Sequence, residues 1–391
     1  MRVQCATLNG HLGGQGGGFG SDVFASWLNP TLDTHHSNSS SDSIAPPPDI
    51  VAVGFQEMIP LHLALAGFAT TTLDVHEDEI KSTIEQSTAP PPNDDDDDRA
   101  TTLGRRRRQR VTYSLVARES IGGIALLVYS NDSTVTDRIE RGSIETATVG
   151  CGVLNLMGNK GAVAVRFNLV ESEQEQQRDS SDDKDDKDDG GDTTSYTFVS
   201  AHLAAHQNKV ERRNRDWREI VERLIFARDD DGRGAGVERD LYETNSLFVF
   251  GDLNYRISLT EPRKMSRPVL AHHVSNLVAA TSGGGDHNHD QEESTRLSLS
   301  SLLAHDQLGQ ESRRGNTLHG LREGAITFAP TYKYKPGTVD EFKSFEKRIP
   351  GWCDRILYAV SAAEEEDDDV DEVRVESYRS EMSFTASDHK P

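Results

Sequence analysis

The residues of this 391-residue chain best suited to chemistry collect where short apolar runs end. Asn9 closes RVQCATLN (2–9), Gln56 and Glu57 close DIVAVGFQE (49–57), and His202 ends YTFVSAHL (196–203). Asp252 and Asn254 end SLFVFGDLN (246–254), Asp354 lies at the edge of CDRILYAV (353–360), and Asp388–His389 follow near the end. Strand ends are where α/β folds build their sites. The inventory is two histidines, several carboxylates and three amides, with no Cys or Ser placed as a nucleophile. That set suits a hard, oxygen-ligated metal such as magnesium, with water as the attacking group. Basic residues stand in the same ordered text: Lys160, Lys209, Arg212, Arg213, Arg256, Lys333, Lys335, Lys347 and Arg348. Acidic strand ends in a basic surround imply a phosphorylated substrate.

Such residues need strands to hold them. Besides the runs above, GGIALLVYS (122–130), GAVAVRFNLV (161–170) and AITFAPTYKY (325–334) read as strands. Their near-continuous apolar character predicts burial on both faces. Between Asn208 and Ala227, Val210, Trp217, Ile220, Val221, Leu224 and Ile225 share one face at helical spacing, so a helix is expected there. Strand text with interspersed helices points to an α/β (α+β) sandwich.

Composition explains the length. Only 35% of residues are hydrophobic, 27% are charged and the net charge is −23. Residues 171–195 carry 11 acids and 3 bases, and residues 361–373 carry 8 acids and no base. Most of the acidity therefore belongs to two segments and says little about partners. Five polar tracts, about 33–48, 86–110, 171–195, 281–294 and 361–373, are expected to be disordered insertions in a single domain spanning 1–391. GRRRRQR (104–110) could serve as a nuclear-localisation or anionic-lipid patch, but the reading preferred is a charge-balanced loop beside an Asp run. No apolar run approaches the ~20 residues of a membrane span. The N-terminus lacks the apolar core of a secretory signal. Cys5, Cys151 and Cys353 form neither a disulfide framework nor a zinc pattern, which points to a reducing, intracellular compartment.

The segments GFQEMIPL, GNKGAVAVRF, SAHLAAHQNKVERRNRDW, FVFGDLNYRI, FAPTYKYKPGT, RIPGWCDRILY and SDHKP, in this order, resemble the motif series of the inositol polyphosphate 5-phosphatases. These belong to the deoxyribonuclease-I-like superfamily of endonucleases, exonucleases and phosphatases. The resemblance implies a four-layer α/β sandwich of two packed, mainly antiparallel sheets flanked by helices. It implies magnesium-dependent hydrolysis of the 5-phosphate of phosphoinositides such as phosphatidylinositol 4,5-bisphosphate, of soluble inositol polyphosphates, or of both. Glu57 matches the principal metal-binding glutamate, and Asn9 the first-strand asparagine that helps at the metal or phosphate. Asp252 matches the residue that positions or deprotonates the water, Asn254 the amide that orients water and phosphate, and His202 the histidine on the scissile phosphate. Asp354 and His389 match a carboxylate–imidazole pair, and Asp388 a group beside the metal or its waters. Asn159, Lys160, Arg256, Tyr332, Lys333, Lys347 and Arg348 match positions that read the ring and its other phosphates. Two residues before Arg348, where the family often has lysine, this chain has Glu346. In the family another strand follows SDHKP, so the sheet is expected to lack its last strand. The expected setting is cytoplasmic, peripheral at the cytosolic face of membranes. Neither nucleic acid nor an oligomer is implied.

Two other readings compete. A nuclease on the same fold would show a basic groove and aromatic stacking platforms, and neither is visible. A binding module without activity would have lost Glu57, Asp252 or His389, and all three are present.

Overall fold

The computed structural model describes residues 1–10, 21–28, 46–60, 62–63, 68–87, 111–152, 158–171, 193–228, 237–282, 289–343, 345, 347–361 and 373–391. One sheet contains β1 (Val3–Asn9), β2 (Ile50–Gln56), β3 (Tyr113–Ile121) and β4 (Ile124–Asn131) in the order β1-β2-β4-β3. The other contains β5 (Glu145–Gly150), β6 (Gly161–Val170) and β7 (Thr193–His202). A small ribbon of β8 (Phe226–Arg228) and β9 (Val237–Arg239) stands apart. β10 (Ser246–Asp252), β11 (Arg322–Glu323) and β12 (Asp354–Val360) complete the second sheet in the order β11-β12-β10-β7-β6-β5. The pairs β1–β2 and β7–β10 are parallel and the rest antiparallel, so both sheets are mixed.

The apolar runs are continuous because each strand serves two cores. Ile50 and Ala52 join Ile124, Leu126, Val128, Val163, Val165, Phe167, Phe198 and Phe250 between the sheets. Their neighbours Val51, Val53 and Phe55 face outward, under α1 (Ser21–Leu28) and α2 (Ala69–Ser87), against Phe24, Trp27, Leu73, Ile80 and Ile84. On the second sheet Ala162, Ala164, Val199, Ala201 and Val249 face outward toward Trp217, Ile220 and Leu224. Alternation with period two on doubly covered strands gives this pattern. Burying one such large side chain contributes about 1.5–3 kcal/mol.

The helix expected over 208–227 is α3, Val210–Arg223. Its chain turns out after Leu224, so Ile225 is 40% exposed and Phe226 enters β8. Next come α4 (Arg267–Ser282), α5 (His289–Ala304) and the short α6 (Gln307–Arg313). The Asp306 carboxylate caps α6 by accepting from the Gly309 N–H at 2.8 Å. Leu270, Val274, Leu277 and Leu302 from α4 and α5 pack with Ile257, Phe328, Tyr334 and Trp352 in a further core beside the strand ends.

Some expectations change. Residues 325–334 form no strand: Pro330 interrupts the ladder, and isolated bridges remain at Tyr332 and Tyr334. Of the expected insertions, 33–45, 88–110, 172–192, 283–288 and 362–372 lie outside the described residues. Several of their margins are ordered elements. Residues 193–195 open β7 and 289–294 open α5, where Asp290 and Glu292 favour a helix N-terminus. In the segment that carries Asp388 and His389, the buried Lys390 ammonium donates to the carbonyls of Thr338, Met382 and Phe384 at 3.0, 2.9 and 2.7 Å.

Candidate active site

Strand register assembles the core of the site. β7 and β10 pair so that His202 stands opposite Asp252, and β10 and β12 pair so that Asp252 stands opposite Asp354. Residues directly opposite in a sheet project to the same side. His202, Asp252 and Asp354 therefore form a row across one sheet edge. β6 pairs Gly161 with His202, which brings Lys160 to the end of that row. On the other sheet Asn9 pairs with Gln56, immediately before Glu57. A hydrogen bond from Asn9 Nδ2 to Asp252 Oδ2, 2.7 Å long, joins the two sheets at this edge.

The backbone turns sharply here. Glu57 and Asn254 have left-handed φ of 53° and 59°. Asparagine tolerates this conformation, whereas for glutamate it costs about 1–2 kcal/mol. Gly251, φ 137°, lies so close to β7 that an added Cβ would sit 2.1 Å from the Ala201 carbonyl oxygen. No other residue type fits immediately before Asp252 without moving β7.

Asp252 is buried and fully engaged. Its Oδ1 accepts from the Asn254 N–H at 3.0 Å, and its Oδ2 accepts from Asn254 Nδ2 at 2.8 Å and lies 3.3 Å from His202 Nε2. Burial alone would raise its pKa. The His202 hydrogen bond and the charges of His389 and Arg256 win and hold it well below the usual carboxylate range. His202 moves down through burial and then through the Lys160 ammonium, which contacts its ring. His389 Nδ1 lies 2.9 Å from Asp354 Oδ2, and Thr331 Oγ1 donates to that same oxygen at 2.7 Å. Burial opposes charge on His389, but Asp354, Asp252 and Asp388 outweigh it and raise the imidazole to about 9. Asp388 is hydrogen-bonded to Lys333, and its carboxyl is lowered because His389 and Lys333 outweigh its burial.

Around this core, Arg256 donates to Asn254 Oδ1 and lies over the Tyr332 ring, 3.8 Å from its centroid. The Tyr332 ring in turn stands 4.6 Å from that of His389. Glu57 is half-exposed. Its Oε1 stands 3.8 Å from His202 Nε2 and 3.9 Å from Lys160 Nζ, beyond hydrogen-bond distance of either. That carboxylate is left open, and Asn9, donating through Nδ2, keeps its Oδ1 as an acceptor. Two open oxygens at one sheet edge suit a hard divalent cation. Asp252, Asp354 and His389 also bring three ligand-capable atoms within 4.8 Å of one another, but all three are buried and already paired.

Thus contacts link Asn9, Glu57, Lys160, His202, Asp252, Asn254, Arg256, Tyr332, Lys333, Asp354, Asp388 and His389. Asn159 adjoins Lys160, and its Oδ1 is buried without a partner among the described residues. Lys347 and Arg348 stand exposed outside the buried cluster, with Arg348 Nη1 3.5 Å from His206 Nδ1. Some basic residues expected around a phosphate serve elsewhere. Arg213 is buried and holds the carbonyls of Ala204 and His206, Arg212 pairs with Asp216, and Lys335 pairs with Glu341. Met58 and Ile59 belong to the core, and Leu61 lies outside the described residues. Cys353 packs against the Tyr255 carbonyl with its thiol pushed far up by burial, which excludes it as a nucleophile. Thr331 and Ser387 escaped the sequence reading. Ser387 Oγ donates to the Asn9 carbonyl at 2.6 Å and accepts from the His389 N–H at 3.1 Å. Their signal was membership of the motifs FAPTYKYKPGT and SDHKP, beside residues with a chemical role to suggest.

This fold and edge define a member of the endonuclease/exonuclease/phosphatase family 2, whose model matches residues 19–391, and the chain belongs to that family. Among its relatives, the mouse type II inositol 1,4,5-trisphosphate 5-phosphatase is 30% identical over 344 residues, 88% of this chain and 26% of that protein. Type IV inositol polyphosphate 5-phosphatase 11 of Arabidopsis thaliana is 30% identical over 281 residues, 72% of this chain and 64% of that one. Human synaptojanin-1 is 28% identical over 341 residues, 87% of this chain and 16% of that protein. The chain thus spans less than two thirds of the length of each of these relatives. A crystal structure of the inositol polyphosphate 5-phosphatase domain of SPsynaptojanin, in complex with inositol (1,4)-bisphosphate and a calcium ion, superposes with TM-score 0.58. Identity is 25%, and the match covers 99% of this chain and 80% of that one. Among the described residues no helix is long and apolar enough to cross a membrane.

Proposed function

We propose that this chain hydrolyses the 5-phosphate of phosphoinositides such as phosphatidylinositol 4,5-bisphosphate, of soluble inositol polyphosphates, or of both, by attack of water on phosphorus. The observation that carries the reading is the row His202–Asp252–Asp354, with His389 behind it and Lys160, Arg256 and Lys333 around it. Glu57 and Asn9 would hold the magnesium ion, which when bound neutralises phosphate charge.

The remaining work falls to the chain's own groups. Asp252, kept ionised, orients the attacking water and takes its proton. Asn254, whose Nδ2 donates to Asp252 and to the Leu203 carbonyl while its Oδ1 accepts from Arg256, orients the water through Asp252. His389 is an imidazolium at neutral pH. Asp354 holds its Nδ1 and leaves Nε2 free to donate to a phosphate oxygen as negative charge grows. His202, kept neutral, contacts the same phosphate. Lys160, Asn159, Arg256, Tyr332 and Lys333 line the ring, and the exposed Lys347 and Arg348 meet an outlying phosphate. A lipid substrate requires peripheral contact with a membrane surface, at its cytosolic face.

The test is magnesium-dependent phosphate release from phosphatidylinositol 4,5-bisphosphate, with the 4-phosphate lipid as control. Release from the bisphosphate alone supports a 5-phosphatase. Release from neither, by folded protein supplied with magnesium, sinks the reading.

A further inference from the structure

Gln307, the first residue of α6, lies outside every motif that suggested the site, and it is buried where two of the site's loops meet. One loop follows β7 and runs from His202 to Gln207. The other follows β10 and contains Asn254, Tyr255 and Arg256. The Gln307 side chain holds both. Its Oε1 accepts from the Arg256 backbone N–H at 3.0 Å and from Arg213 Nη2 at 2.7 Å. Its Nε2 donates to the Gln207 carbonyl at 3.2 Å. Arg213 passes the link onward, since its Nη1 donates to the carbonyls of Ala204 and His206 at 3.1 and 2.8 Å. The Gln307 backbone N–H donates to the Arg256 carbonyl at 2.9 Å, so Arg256 is held through both its backbone N–H and its carbonyl.

We propose that Gln307 is a positioning residue, which fixes the His202 loop and the Asn254–Arg256 loop against each other. The inference rests on the function proposed above. Arg256 carries the effect inward, because its side chain clamps Asn254 Oδ1 and covers Tyr332, while Asn254 in turn orients Asp252. The residue types follow from the partners. The amide must accept twice from N–H donors and donate once to a carbonyl. Glutamate keeps the acceptor and loses the donor. Methionine, similar in length, keeps neither and leaves the buried Arg256 N–H without a partner.

The test compares Gln307→Met and Gln307→Glu in the full chain, with kcat and KM for phosphate release, the melting temperature, and hydrogen exchange of the Arg256 amide. Misplacement by about 1 Å can cost about a hundredfold in rate. Gln307→Met is expected to lower kcat at least about tenfold with KM changed less than about threefold, and Gln307→Glu to recover most of that loss. Exchange at Arg256 should rise in the Met variant and stay low in the Glu variant. If Gln307→Met does not fold, Gln307→Asn, whose amide is drawn back by one carbon, takes its place with the same expectation. A kcat within about twofold of the parent for the Met variant overturns the proposal, as do equal losses in both variants that track the melting temperature. If the parent itself releases no phosphate, the functional reading fails separately. The exchange measurement then judges Gln307 alone, and unchanged protection at Arg256 refutes it.

Discussion

Asp354→Asn tests whether His389 works as an imidazolium. Burial by itself disfavours charge on His389, yet its pKa is raised from 6.5 to about 9, chiefly by the Asp354 carboxylate 2.9 Å from Nδ1. At roughly 1.4 kcal/mol per pH unit, this is about 3 kcal/mol of preference for the charged ring. Asparagine keeps the shape of the side chain and an oxygen for Thr331 but removes the charge. Burial then meets less opposition, and the ring falls toward its ordinary value. At about pH 7.5, a group with pKa about 9 is about 97% protonated, and one with pKa about 6.5 about 9%. Loss of the cation alone thus predicts a fall of about tenfold in kcat. The assay is kcat for phosphate release from about pH 5.5 to 10, beside an NMR titration of the His389 ring. The parent should show an alkaline limb near pH 9. In the variant that limb should move down by at least about one pH unit, together with the ring titration. A ring that still titrates near 9 in Asp354→Asn would refute the assignment of its charge to this pair.

Other expectations follow from the same contacts. Asp252→Ala should lower kcat by about 10²–10⁴-fold while circular dichroism shows the fold retained, and unchanged turnover would remove Asp252 from the mechanism. Chelation should abolish phosphate release and added magnesium restore it, and Glu57→Gln should raise the magnesium concentration needed for half-maximal rate. An unaltered magnesium titration would mean that Glu57 does not hold the ion. Lys390→Met leaves three buried carbonyls without their donor and should cost about 2 kcal/mol in urea denaturation; an unchanged midpoint would contradict this. His389 also links folding to pH. A histidine raised from 6.5 to about 9 stabilises the fold fully below pH 6.5 and loses that contribution as pH rises through 9. The stability difference between parent and His389→Gln should therefore shrink from neutral pH to about pH 10, and a constant difference would count against it.

What the sequence made legible, and what it did not, follows from how each residue is held. Doubly covered strands such as Ile50–Gln56 and Gly161–Val170 announce themselves, because both alternating faces are apolar. Of the strands missed, the two longest, Tyr113–Ile121 and Glu145–Gly150, are sheet edges whose residues are half-buried or alternate with exposed positions. Edge strands carry charge and polarity as protection against further pairing, so their text resembles loop. The segment 325–334 misled in the opposite direction. Its β-rich composition serves side-chain packing around Tyr334 and Phe328, and Pro330 blocks the ladder that composition suggested.

The candidate site divides in the same way. Glu57, His202, Asp252 and His389 could be picked out because carboxylate and imidazole are the side chains that phosphate and metal chemistry most often uses, and they stand at strand ends. The residues that hold them need supply only one donor or acceptor at the right place, and many residue types can do that. Ser387 reaches the Asn9 carbonyl across 378 positions, and Asn9 reaches Asp252 across 243. Gln307 ties Arg256 and Arg213 across 51 and 94. At such separations no local pattern records the contact, and its evidence is a register or a closed hydrogen-bond circuit. Arg213 shows the converse error. Its type matched a phosphate ligand, but its buried guanidinium closes the loop beneath His206 instead. A charged residue in a motif is thus a candidate for chemistry only until burial and partners show whether its charge faces the ligand or the backbone.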